Sequence, residues 1–248
     1  MILVTNDDGI DSDGLKALAS ALEDIDKVIV VAPDRERSAI SHALTLHRPL
    51  RVEKVKSDWY AVDGTPADCV HIAVKALLSE SPWLVASGIN RGANLGDDII
   101  YSGTVAGAVE AVLLGIQAFA ISLAGRSDLN FDSSAKFARS IAGFLKRTPM
   151  PPNTFLNVNV PHRFKAENPV WKLTRQGQRV YRTEVVLRED PRGNPYYWIG
   201  GQEPDRVEEE GTDIDAVEKG YISITPLHLD MTAYSLIEEY QRVRAKKV

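Results

Sequence analysis

Residues 2–10 read Ile-Leu-Val-Thr-Asn-Asp-Asp-Gly-Ile, and the change of character inside this stretch decides the fold. Ile2, Leu3 and Val4 make a short apolar run of β-favouring side chains, the mark of a buried strand. The chain then turns polar through Asn6, Asp7 and Asp8, and Gly9 lets the backbone turn sharply behind them. In an open α/β sheet, ligands bind in the crevice beyond the carboxyl ends of the strands. Two carboxylates delivered there by the first strand form half of a cation site. The same residues also suit a solvated turn that caps the following helix, and this stretch by itself leaves both readings open.

Working outward, Leu15, Leu18, Ala19 and Leu22 recur at the spacing of one buried helix face, with Asp11 or Ser12 placed to cap it. Residues 27–32 (KVIVVA) are a β-branched run without alternation, as expected for a strand covered on both faces, and Pro33 stops it. Residues 44–52 place Leu44, Leu46, Leu50 and Val52 between polar neighbours, which predicts a half-buried antiparallel excursion, and residues 59–62 predict another short strand. Thr65, Pro66 and Asp68 then carry a full helix start, with Thr65 as N-cap and Asp68 completing a capping box. Cys69, Ile72, Ala73 and Ala76 mark the buried face of that helix. Residues 83–87 (WLVAS) are a buried strand running into the glycine- and asparagine-rich loop 88–96. Ser102, Gly103 and Thr104 open a helix with Val105, Ala108, Val109 and Val112 inward. A strand at 118–123, a helix through Ala138, Ile141, Ala142 and Leu145, and a strand at 155–160 complete the core.

Strands and helices in alternation predict an α/β fold with a doubly wound sheet over residues 1–161. From 162 to 248 the pattern differs. Aromatic and β-branched clusters (Trp171, Tyr181, Val185, Val186, Tyr196, Tyr197, Trp198) broken by Pro191, Gly193 and Pro195 predict an extended hairpin arm. Residues 203–218 are acid-rich and read as a solvated loop. A strand at 221–225 and a terminal amphipathic helix through Leu236, Ile237, Tyr240 and Val243 follow.

Three strand ends carry conspicuous polar segments: 6–8, 34–41 (DRERSAIS) and 88–96. Parallel strands bring all three to one rim. Asp7, Asp8, a serine hydroxyl and an asparagine amide oxygen offer the all-oxygen environment that Mg²⁺ or Mn²⁺ prefers. Such a cation suits phosphoryl chemistry, because it neutralises phosphate charge and activates water. Ser102, Gly103 and Thr104 lie at a helix N-terminus, where free N–H groups and the macrodipole favour a phosphate, although Ser102 or Thr104 is equally a plain N-cap.

Composition excludes several classes. The chain has 248 residues, 44% hydrophobic and 25% charged, with a net charge of -5, so it carries no electrostatic footprint for a nucleic acid polymer. One cysteine, Cys69, permits neither an intramolecular disulfide nor a thiolate metal cluster, which fits a reducing, cytoplasmic setting. It reads as a small buried hydrophobe rather than a nucleophile. The first apolar run is too short for a signal peptide, and no run is long enough to span a membrane.

The segments LVTNDDGI, VVAPDRERSA, GTPADCV, SGINRGANLG and YSGTVAGA, in this order, resemble the SurE (survival protein E) nucleotidases, and the likeness runs on through YISITPLH. The resemblance implies a three-layer, Rossmann-like core and a metal-dependent 5′-nucleotidase acting on nucleoside monophosphates, with 3′-mononucleotides and short polyphosphate as further substrates to test. It implies one divalent cation per subunit, Mg²⁺ or Mn²⁺, held by Asp7, Asp8, Ser38 and Asn90. Substrate contacts fall on Asn90, Ser102, Gly103 and Thr104, joined by Asn6 and Asn94 at the polar strand ends. Asp7, Asp8 and Asn90 are the expected catalytic residues, with water attacking phosphorus. A homodimer or homotetramer that exchanges C-terminal elements is also implied.

Rival readings fit less well. A signalling receiver domain needs about half this length and a lone acceptor Asp where Ser87 stands. A haloacid-dehalogenase-like phosphatase wants Asp-x-Asp after the first strand, and no G-x-G-x-x-G supports a dehydrogenase. His42, four residues after Ser38, and His228 in the tail read as structural or exposed side chains.

Overall fold

The computed structural model describes residues 1–125, 129–162, 170–180, 183–201 and 205–245. Its strands are β1 (Ile2–Thr5), β2 (Val28–Pro33), β3 (Val52–Lys56), β4 (Trp59–Val62), β5 (Leu84–Arg91), β6 (Ala118–Ala124), β7 (Thr154–Pro161), β8 (Trp171–Leu173), β9 (Arg179–Val180), β10 (Thr183–Glu189), β11 (Pro195–Gly201), β12 (Asp205–Arg206) and β13 (Ile222–His228). The helices are α1 (Asp13–Glu23), α2 (Pro66–Ile72), α3 (Gly103–Leu113), α4 (Asp132–Arg147), α5 (Asp213–Glu218) and α6 (Tyr234–Ala245).

One nine-stranded sheet runs β3-β4-β2-β1-β5-β6-β7-β13-β8. Its strands β4, β2, β1, β5, β6 and β7 are mutually parallel. Counted among themselves they stand in the order third, second, first, fourth, fifth, sixth, which is that of a dinucleotide-binding fold. The winding reverses between β1 and β5, so a crevice opens beyond the ends of those two strands. Every residue of β1 is buried, and its side chains divide between two cores. Ile2 and Val4 face α1 and α4, and Leu3 faces α2 and α3. Burying each such side chain contributes about 1.5–3 kcal/mol, which fixes β1 in the middle of the sheet. The predicted face of α1 is buried throughout, and Ser12 caps it by accepting the Leu15 N–H.

Three departures from the sequence expectation have physical causes. Leu44 and Leu46 are exposed, Leu46 by 78%, and regular pairing begins only at Val52 on the exposed edge strand β3. Residues 43–45 are held by side chains of the α2 cap instead: the Thr65 hydroxyl donates to the Ala43 carbonyl, and Asp68 accepts from Thr45. Next, the sheet does not end at β7, because β13 adds antiparallel to it and β8 pairs parallel with β13. Finally, the acid-rich segment contains α5, whose Asp213 is fully buried and accepts the N–H groups of Gly96 and Gly177 at 2.9 and 2.8 Å.

Strands β10 and β11 form an antiparallel hairpin whose Val185, Leu187, Tyr197, Trp198 and Ile199 are exposed. Tyr181 lies outside the described residues. Helix α6 exposes Leu236, Ile237, Tyr240 and Val243. Among the described residues no helix is long and apolar enough to cross a membrane.

Candidate functional site

The end of β1, the loop after β2, the end of β5 and the N-terminus of α3 meet at the crevice. Asn6 closes the first turn, its amide nitrogen donating to the Gly9 carbonyl at 3.0 Å and to Ser12 Oγ at 2.7 Å. Gly9 has φ +98°, and a Cβ there would lie 3.0 Å from the Arg35 carbonyl carbon, so glycine serves both the turn and the packed loop. The Arg37 N–H donates to the Asp7 carbonyl at 2.7 Å, which locks the second polar segment onto the first. The Arg91 N–H donates to Asp8 Oδ2 at 3.2 Å and brings in the third.

Asp7 is only 5% exposed and sits against α3. The Thr104 hydroxyl donates to Asp7 Oδ1, and the Thr104 backbone N–H also favours the carboxylate. A Cβ on Gly103 would stand 2.8 Å from Asp7 Cβ, so this close approach of the carboxylate to the helix end requires glycine. Burial pushes the Asp7 carboxyl from 3.8 up to about 6, against the Thr104 hydrogen bond and with a smaller push from Asp8. Burial likewise raises Asp8, opposed by Arg91, with Glu36 adding to the rise.

The remaining expected residues fall into two groups. Asn90 donates to the Gly92 carbonyl at 2.9 Å, leaving its amide oxygen without a partner among the described residues. Ser102 Oγ accepts the Val105 N–H at 3.1 Å, so its proton is free to be donated outward. Ser38 is exposed and donates to Glu36 Oε1 at 2.6 Å, which leaves its lone pairs for another partner. Asn94 is built inward. Its backbone N–H donates to Asn159 Oδ1, its carbonyl accepts from Asn157 and Asn159, and its amide donates to Ser122. Thr104 is likewise turned toward Asp7 rather than outward. Cys69 is buried, and burial raises its thiol well above the usual range, which suits the inert reading.

These residues fit a hard cation. The donor set is all oxygen, and the buried Asn6 Oδ1 has no hydrogen-bond partner among the described residues. A carboxylate as deeply buried as Asp7, raised by that burial, is relieved by a bound positive charge. Sequence reasoning missed two features here. One is the buried Asp213, which the capping pattern at Thr212 to Asp215 marks. The other is Glu110, whose two oxygens bond His42 Nε2 at 2.8 Å and His71 Nδ1 at 2.7 Å, and no local motif announces it.

A doubly wound sheet whose switch point carries paired carboxylates against a helix N-terminus defines the class: an α/β protein of dinucleotide-fold order with an oxygen-lined crevice. The family described as Survival protein SurE matches residues 2–183. A protein named 5′-nucleotidase SurE from Geobacter sulfurreducens is 53% identical over 241 residues, covering 97% of this chain and 92% of its own. One of the same name from Geotalea uraniireducens is 51% identical over 244 residues, covering 97% and 98%. The crystal structure of the SurE protein from Aquifex aeolicus superposes with a TM-score of 0.86 at 44% identity, covering 98% of this chain and 99% of that one. The chain belongs to the SurE family.

Proposed function

We propose that the protein is a metal-dependent 5′-nucleotidase that releases phosphate from nucleoside monophosphates. The observation that carries this reading is the pair Asp7 and Asp8, delivered by β1 to the N-terminus of α3 in a chain of this family. Asp7, Asp8, Ser38 and Asn90 would hold Mg²⁺ or Mn²⁺. When bound, that cation neutralises phosphate charge and makes water more acidic.

The chain's own groups then divide the work. The Ser102 hydroxyl and the Gly103 N–H donate to phosphate oxygens at the positive end of α3. Asn90 stabilises charge on the transferring group, and the buried Asn6 closes the turn that presents Asp7 and Asp8. Asp8, less buried than Asp7 and accepting the Arg91 N–H, orients the attacking water and takes its proton. Thr104 and Asn94 hold Asp7 and the 88–96 loop in place. Water forms the new P–O bond as the bond to the nucleoside oxygen breaks, a single displacement, and the proton that Asp8 takes from the water passes to the departing oxygen. Phosphorus made chiral by isotopic oxygen should therefore emerge with inverted configuration. Net retention would show a covalent phospho-enzyme and overturn this route.

Substrate and metal are tested together by phosphate release from a panel of 5′- and 3′-mononucleotides and short polyphosphate, with Mg²⁺ and Mn²⁺ in turn. Release from 5′-mononucleotides that is no faster than from unrelated phosphomonoesters would sink the nucleotidase reading. We read residues 1–161 as the catalytic core and 162–248 as elements exchanged in a homodimer or homotetramer. The exposed apolar faces of α6 and the β10–β11 hairpin support this. A monomer at micromolar concentration by light scattering would contradict it. A cytoplasmic location, suggested by the single buried cysteine, is checked by cell fractionation.

A further inference from the structure

The loop that carries Ser38 has no ladder of its own, and two of its residues, Ala39 and Ser41, lie in the left-handed region at φ 55° and 56°. A non-glycine residue there is strained, and it persists only where surrounding contacts hold it. Ser41 donates its N–H to the Tyr101 carbonyl at 3.0 Å and its hydroxyl to the Ile100 carbonyl at 2.7 Å. The next residue, His42, bonds Glu110 Oε2 at 2.8 Å. Ala43 is then fastened by Thr65.

Among these tethers the one through His42 reaches α3 itself, the helix whose first turn holds Asp7. Glu110 is suited to the task. Its side chain is 4% exposed, so it is rigidly placed, and among the described residues its two oxygens have His42 and His71 as partners. A buried carboxylate with few partners grips each of them firmly, because losing one leaves charge unsatisfied in a low-dielectric setting. The two imidazoles are 32% and 46% exposed, so each can be changed with little loss of packing.

We propose that His42 and Glu110 are positioning residues that strap the strained 38–42 turn to α3 and so set the Ser38 oxygen relative to Asp7. His71 anchors the other oxygen of Glu110 to α2 and has no part in the loop. The inference rests on the reading of Ser38 as a cation ligand.

The test is Mn²⁺ binding to metal-stripped full-length protein by calorimetry, without substrate, alongside thermal melting. His42→Ala should weaken Mn²⁺ binding by on the order of tenfold, and His42→Gln, which can still donate to Glu110, should restore most of it. His71→Ala removes the matching bond on Glu110 and should lower the melting temperature comparably, yet change Mn²⁺ affinity less than about twofold. Ala39→Gly placed in the His42→Ala background should recover part of the affinity, because glycine occupies the left-handed region without strain. Equal effects of His42→Ala and His71→Ala on Mn²⁺ binding would overturn the strap, since the role would then be structural only. Ser38→Ala separates the two claims. If it leaves Mn²⁺ affinity unchanged, the ligand reading of Ser38 fails. If it weakens binding and His42→Ala does not, the strap fails.

Discussion

Replacing Thr104 with valine keeps the side-chain volume and removes the hydroxyl that donates to Asp7 Oδ1. Burial already holds the Asp7 carboxyl at about 6, and the Thr104 hydrogen bond is the largest influence opposing that rise. A hydrogen bond to a charged group contributes about 1.5–3 kcal/mol, so at 1.36 kcal/mol per pKa unit its loss lifts metal-free Asp7 by about one to two units. At pH 7 roughly a tenth of Asp7 is protonated in the parent protein, and roughly half to nine-tenths would be in the variant. A cation binds the deprotonated ligand, so the Mn²⁺ dissociation constant at pH 7 should weaken by about two- to tenfold and approach the parent value near pH 9. Calorimetric titration of metal-stripped Thr104→Val and Thr104→Ser at pH 6, 7, 8 and 9 measures this, with serine expected to behave like the parent. An unchanged affinity at pH 7, or a loss of the same size at every pH, would refute the reasoning that Thr104 keeps Asp7 ionised for the cation.

Three further outcomes follow from the same geometry. The folded, metal-free protein binds the Asp7 proton more tightly than the unfolded chain. Its stability should therefore fall by about 3 kcal/mol as pH rises from the usual carboxylate value through about 6. Asp7→Asn should remove much of that slope and raise metal-free stability at pH 7 while abolishing turnover; urea midpoints at pH 5 and 7 that match the parent would contradict this. Asn90→Ala should lower kcat by on the order of 10² with the fold intact, checked by steady-state kinetics beside circular dichroism, and a loss below threefold would count against its role. Asn159→Leu strips the acceptor from the Asn94 N–H and a donor from its carbonyl, and should cost about 2–3 kcal/mol by chemical denaturation, where a loss under about 0.5 would mean that water replaces both.

The parallel core was legible because β1, β2 and β5 are apolar on both faces and each ends in an abrupt polar segment. The convergence of those segments was legible for the same reason, since parallel strands share one rim. What local pattern could not give was the direction of each polar side chain within the rim. Thr104 satisfies the rule for a helix N-terminus, and only the close approach at Gly103 turns its hydroxyl toward Asp7. Asn94 sits in a loop as polar as Asn90, yet Ser122, Asn157 and Asn159, on strands more than 25 residues away, draw it inward. Leu44 and Leu46 show the reverse failure. Their alternation mimics a strand, but side-chain bonds to the α2 cap hold the segment in place of a ladder. Glu110 with His42 and His71 joins three sequence regions, so no window of the chain contains the signal.

In the proposed mechanism a cation at Asp7 and Asp8 and a phosphate at the α3 N-terminus share one crevice. The measurement that meets it most directly is the relaxation of the ³¹P resonance of inorganic phosphate by Mn²⁺ bound to the full-length protein. Strong paramagnetic relaxation is expected, competed by a nucleoside 5′-monophosphate and lost in both Asp7→Asn and Asp8→Asn. Relaxation that survives both substitutions, or Mn²⁺ that binds tightly at these carboxylates without relaxing phosphate, would contradict it.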